Sequence, residues 1–161
     1  MEDTTENLAR RIEEILRARG WTVACAESCT GGLVTSLLTD IPGSSEVVKG
    51  SVVSYTNAVK HGVLGVRQQT LDAFGAVSTQ TAEEMADGVR RVIGTDIAVS
   101  ITGNAGPGAS EGKPVGLVYF GVSTAGGTQT FSAYFSGARK EIKVAAAKEV
   151  LKHLLETLEN G

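Results

Sequence analysis

The segment Ala26-Glu27-Ser28-Cys29-Thr30-Gly31-Gly32 constrains the fold of this chain more than any other, because an apolar strand turns there into a helix through two glycines. Trp21-Thr22-Val23-Ala24-Cys25-Ala26 has the length and apolarity of a mostly buried strand, and Leu33, Leu37 and Leu38 then recur as one helix face. A serine in such a turn stands before the unpaired N–H groups of a first helical turn, where partial positive charge collects. Two roles are open to it. Ser28 or Thr30 can be an N-cap whose neighbouring glycines relieve a tight turn, or Ser28 can be a nucleophile whose developing oxyanion meets those amides.

The alternation of elements extends along the chain. Asp3 and Glu6 form a capping-box pattern before a helix carrying Leu8, Ile12, Ile15 and Leu16, which stops at Gly20. After the glycine turn, Val47 to Tyr55 is predicted as a strand and Asn57 to Leu64 as a short helix. Ser78 can cap a helix with Ala82, Met85, Ala86, Val89 and Ile93 on one face, followed by the buried strand Ile97 to Ile101. Val115 to Ser123 and Thr130 to Phe135 are expected as a hairpin whose loop, around Ala125-Gly126-Gly127, is longer than two residues. A last helix from Arg139 to Leu158 buries Ile142, Ala146, Val150 and Leu154. Helices alternate with strands early and a hairpin closes the sheet late, so the expectation is one three-layer α/β/α domain over 1–161 with a mixed sheet.

With 161 residues, 42% of them hydrophobic and 20% charged, one domain can bury a full core. The net charge of −3 and the scattered Lys and Arg leave no basic footprint for nucleic acid or an anionic membrane, which points to a small-molecule substrate. No run approaches a membrane span, and the acidic Met1-Glu2-Asp3-Thr4-Thr5-Glu6 is unlike a signal peptide, so a cytoplasmic location is expected. Self-association, with a dimer favoured, is a further expectation. Cys25 and Cys29 are spaced C-x-x-x-C, neither a redox pair nor half a zinc site; both read as reduced structural thiols, with a functional Cys29 the alternative.

Three more stretches can carry chemistry. Thr102-Gly103-Asn104-Ala105-Gly106-Pro107-Gly108 follows a buried strand but matches neither the Walker nor the dinucleotide pattern. It is either a bare-backbone ligand loop or a plain glycine-rich connection. In Tyr55-Thr56-Asn57-Ala58-Val59-Lys60 the lysine is a solvated charge or, if desolvated beside Ser28, an amine able to take the serine proton. Arg139 is a candidate anion ligand or a surface charge. His61 and His153 have no metal-ligand spacing with a cysteine, so no metal or cofactor is expected.

Ala26-Glu27-Ser28-Cys29-Thr30-Gly31-Gly32, Tyr55-x-Asn57-x-x-Lys60 with Leu64-Gly65-Val66, Gly75-Ala76-Val77-Ser78, and Thr102-Gly103-x-Ala105-Gly106-Pro107 before Lys113-Pro114-Val115-Gly116 together resemble the C-terminal domain of the competence/damage-inducible protein CinA, from about Leu8 to Leu155. The resemblance implies nicotinamide-nucleotide amidase activity, converting nicotinamide mononucleotide (NMN) to nicotinate mononucleotide and ammonia in pyridine nucleotide recycling. It also implies a metal-free serine mechanism without a cofactor and a mixed five-stranded sheet. Larger relatives carry an additional N-terminal domain, so this chain resembles the stand-alone form. By the same resemblance Ser28 is the nucleophile, Lys60 the base, Tyr55 its assistant, and Thr102 and Arg139 substrate-binding positions, with Thr30, Gly31, Gly32, Asn57, Gly103, Ala105 and Gly106 lining the site. The chain departs from the family pattern at Asn104, usually apolar, at Ala138, commonly aspartate, and at Lys143, frequently an arginine. The alternatives are a nucleotide-binding module without turnover and a structural domain acting in DNA uptake or repair.

Overall fold

The computed structural model describes residues 3–161 and places a five-stranded sheet between two helical layers. β1 (Val23–Glu27) lies between two parallel neighbours, β2 (Val48–Val53) and β3 (Ile97–Gly103); β4 (Leu117–Thr124) and β5 (Gly127–Tyr134) continue antiparallel, giving the order β2-β1-β3-β4-β5. The sheet is therefore mixed, as expected.

Side-chain alternation along β1 assigns the layers. Val23 and Cys25 join the larger core with α1 (Thr5–Arg19), α2 (Leu33–Thr39) and α6 (Arg139–Asn160), through Leu8, Ile12, Leu16, Val34, Leu38, Ile142 and Val150. Ala24 and Ala26 face the other way, onto Leu64, Val66, Leu71, Met85 and Val89, beneath α3 (Asn57–Gly62), α4 (Gln68–Phe74) and α5 (Thr79–Val89). Ser78 caps α5 by accepting the Thr81 N–H at 3.1 Å, as the sequence pattern indicates.

Three details differ from the sequence reading. The cap of α1 is Thr4, which accepts the Asn7 N–H at 3.1 Å, because its hydroxyl stands one residue before the first helical position where the Asp3 carboxylate would stand two before. The β4–β5 turn is the two-residue Ala125-Gly126, with Thr124 paired to Gly127, whose φ of 136° only glycine adopts readily at the point where the chain re-enters the ladder. α4 went unanticipated because it is seven residues long and buries only Thr70 and Leu71, too few to set a period.

Glu13 lies on the buried face of α1, and neither carboxylate oxygen has a hydrogen-bond partner among the described residues. Burial, opposed in part by Arg17 and Arg10, raises its carboxyl to about 7. The folded protein thus holds a proton that the unfolded chain has already released, so this group's contribution to stability falls as pH rises from 4.5 to 7. Glu13→Met removes the ionisable group and keeps the length. Thermal unfolding should show the variant more stable than the parent at pH 8, by up to about 3 kcal/mol, with the gap closing at pH 5.

Candidate active site

β1 is followed in sequence by β2 on one side and later by β3 on the other, so the chain reverses direction across the sheet at β1. The crevice beyond the carboxyl ends of parallel strands at such a reversal is where α/β sheets bind ligands. A cavity of about 280 Å³ lies there, reached by Ser28 and Cys29 after β1, Tyr55, Asn57 and Lys60 after β2, and Thr102 to Ala105 at the end of β3. Ala76, Val77, Ser110, Glu111 and Arg139 complete its wall.

Ser28 is held by its own N–H, which donates to Ile101 O at 3.0 Å, and its Oγ accepts from Lys60 Nζ at 2.9 Å. Lys60 is brought there by α3, whose first turn is capped by Thr56, and its Nζ donates a second bond to Ser54 O at 2.7 Å. Lys60 as a whole is only 1% exposed, which rules out the solvated-charge reading. Burial disfavours the ammonium form and lowers Lys60 from 10.5 to about 8, against smaller opposing effects of Cys29 and Glu111.

The Tyr55 hydroxyl turns away from this pair and accepts from Arg139 Nη2 at 2.9 Å, while Arg139 Nη1 donates to Gly106 O. The guanidinium therefore ties the β2–α3 loop to the glycine loop at the cavity mouth. Thr102 donates from Oγ1 to Ala76 O at 2.7 Å. Gly103 is required there, since a Cβ would lie 2.7 Å from Val118 Cγ2 and 2.9 Å from Leu117 O. Thr30, Gly31, Gly32 and Gly106 stand outside the cavity wall, and Gly106 donates its N–H to Asn104 Oδ1 at 3.0 Å. Asn104, the unusual residue of this loop, thus holds the turn with its own side chain. Lys143 Nζ would lie 3.6 Å from a Cβ at Gly31, over the serine turn.

The turn after β1 is built differently from the sequence expectation. Gly31 and Gly32 adopt φ values of 61° and 106°, which explains the residue type. Their amides, however, are occupied: Gly31 N–H donates to Ser28 O at 3.0 Å and Gly32 N–H to Glu27 Oε1 at 3.1 Å. Among the described residues, the N–H groups of Cys29 and Thr30 donate to no other residue. Glu27, Ser54 and Glu111 were missed from the sequence. Glu27 had a signal, an acidic residue at the end of a wholly buried strand; Glu111 lies in a loop without a period.

Both cysteines are buried and unpaired, and burial pushes each thiol up to about 12, so neither supplies a thiolate at neutral pH. His61 Nδ1 lies 2.8 Å from Val66 O, and His153 stacks on Phe131 with centroids 3.9 Å apart; neither borders the cavity. No group of three or more His, Cys, Asp or Glu poised to hold a metal occurs among the described residues, and no helix there is long and apolar enough to cross a membrane.

The family model for the CinA C-terminal domain matches residues 5–158, nearly the whole chain. The chain belongs to the CinA C-terminal domain family. A nicotinamide-nucleotide amidohydrolase PncC of Enterobacter agglomerans is 47% identical over 148 residues, covering 91% of this chain and 90% of that protein. A CinA-like protein of Syntrophomonas wolfei is 45% identical over 97% of this chain, which spans 38% of that relative's length. Several other CinA-family relatives are likewise longer, with 37–38% of their length matched. Crystal structures of CinA-superfamily proteins from Klebsiella pneumoniae (TM-score 0.95, 34% identity, 98% of this chain and 99% of that one) and Agrobacterium tumefaciens (TM-score 0.92, 43% identity, 99% and 97%) share the architecture.

Proposed function

We propose that this CinA-family domain hydrolyses the carboxamide of NMN to nicotinate mononucleotide and ammonia by a serine–lysine mechanism. The observation that carries this reading is the buried Lys60 amine 2.9 Å from Ser28 Oγ at the cavity floor; the PncC relative supports the substrate. When Lys60 is neutral its lone pair faces Oγ and the hydroxyl becomes the donor. Ser28 Oγ adds to the carboxamide carbon as its proton passes to Lys60, which returns it to the nitrogen as ammonia leaves. Water, deprotonated by Lys60, then cleaves the ester and restores Ser28. The amides of Cys29 and Thr30, which donate to no other described residue, would receive the oxyanion, each well-placed donor contributing about 3 kcal/mol.

The nucleotide phosphate is assigned to the mouth, where Arg139 opens the 22-residue α6 and the Gly103 to Gly108 loop exposes its backbone. A remote anion that orients the amide raises turnover as well as affinity. Ammonia release is therefore expected from NMN, and kcat should fall at least about tenfold with nicotinamide riboside, which lacks only the phosphate. Binding of NMN without any ammonia release would leave a binding module and end the enzyme reading. Equal kcat for both substrates would remove the phosphate from the mechanism.

A further inference from the structure

Glu27 is the last residue of β1 and has no exposed surface. Its carboxylate accepts five hydrogen bonds. Oε1 takes Thr30 Oγ1 at 2.6 Å, Gly32 N–H at 3.1 Å and Val34 N–H at 3.0 Å, while Oε2 takes Thr35 N–H at 2.9 Å and Thr35 Oγ1 at 2.7 Å. α2 has no side-chain cap of its own, so this carboxylate from the preceding strand does that work. The main chain of the same residue reaches the other half of the site: Glu27 O accepts Ser54 N–H at 2.7 Å and Ser54 Oγ at 3.2 Å, and Ser54 O in turn accepts from Lys60 Nζ.

We infer that Glu27 is a positioning residue of this site, fixing which amides of the serine turn are free to face the carbonyl oxygen that becomes the oxyanion. By engaging Gly32, Val34 and Thr35 it commits those N–H groups to the protein, while Ser28 O and Thr30 O take those of Gly31 and Leu33, so that the amides of Cys29 and Thr30, immediately after Ser28, are the ones in this turn that donate to no other described residue. The Thr30 hydroxyl on the same oxygen fixes the peptide that carries one of those two donors. Glu27 touches no substrate in this role. Resting on the serine–lysine reading, it predicts a loss confined to the step in which charge develops.

Glu27→Gln is close to isosteric, but an amide offers one acceptor oxygen where the carboxylate offers two. With the oxygen in the place of Oε1, the NH₂ faces the Thr35 N–H and that bond is lost. The variant should fold, lose at least about tenfold in kcat for NMN with KM within about threefold, and exchange its Thr35 amide hydrogen at least about tenfold faster. Labelling of Ser28 by a fluorophosphonate, whose phosphoryl oxygen calls on the same two amides, should slow in parallel. Thr30→Val deletes a single hydroxyl donor and should show a smaller fall of the same kind, which keeps the question decidable if Glu27→Gln does not fold. A loss confined to KM, or kcat and labelling both within twofold of the parent in the folded variants, would overturn the role. Should the parent release no ammonia, the proposed substrate fails, and the labelling rates alone decide for or against Glu27.

Discussion

Ser28→Ala is expected to lower ammonia release from NMN at least about 10³-fold while NMN still binds. The substitution deletes the attacking oxygen and little else. The Ser28 N–H bond to Ile101 O is backbone and survives, and Lys60 keeps its bond to Ser54 O. Calorimetric titration with NMN should return an affinity within a few-fold of the parent, because Arg139 and the glycine loop are unaltered. Cys29→Ala separates oxygen from sulfur chemistry: it keeps the backbone N–H and removes a thiol that burial holds near 12. Turnover in Cys29→Ala is expected to remain within about tenfold of the parent. Loss of turnover there together with retention in Ser28→Ala would transfer the nucleophile to the neighbouring residue.

The parts of this site legible in sequence are those tied to local periodicity. The strand, the glycines and the helix around Ser28 each have a short-range signature, and so does the buried strand that delivers Thr102 and Gly103. What brings Lys60 to Ser28 is not local. The two are 32 residues apart, and they meet because β1 and β2 are parallel neighbours whose carboxyl ends open on the same edge. A lone lysine on a six-residue helix has no pattern that distinguishes it from a surface charge. Tyr55 shows the converse: its place in the motif suggested contact with Lys60, while its hydroxyl is held by Arg139, 84 residues away. Glu27 and Glu13 are both acidic residues set among buried neighbours, and the sequence offers no means of telling them apart. The first has five donors and the second none among the described residues, a distinction made by tertiary contacts alone.

Lys60→Arg is expected to be inactive, with turnover reduced at least about 10³-fold, because a guanidinium stays protonated under all working conditions and cannot accept the Ser28 proton. In the parent, the single-turnover acylation rate should rise with pH through a group near 8, well below an ordinary lysine, and level off above it. The same burial that frees the amine costs stability. Below pH 8 both folded and unfolded chains carry the proton and the full penalty of the buried ammonium applies; between 8 and 10.5 only the unfolded chain holds it, so stability rises with pH across that window. Lys60→Met has no such group, although it leaves Ser54 O without its partner. The difference in unfolding free energy between parent and Lys60→Met should therefore move toward the parent by about 2–3 kcal/mol from pH 7.5 to 10.5. The kinetic and the equilibrium titrations should report the same group. An acylation rate that is flat from pH 7 to 9, or near-full turnover in Lys60→Arg, would end the serine–lysine mechanism even with the Ser28–Lys60 contact in place. A stability difference that does not change with pH would show that the amine is charged at no cost and so is not available as a base.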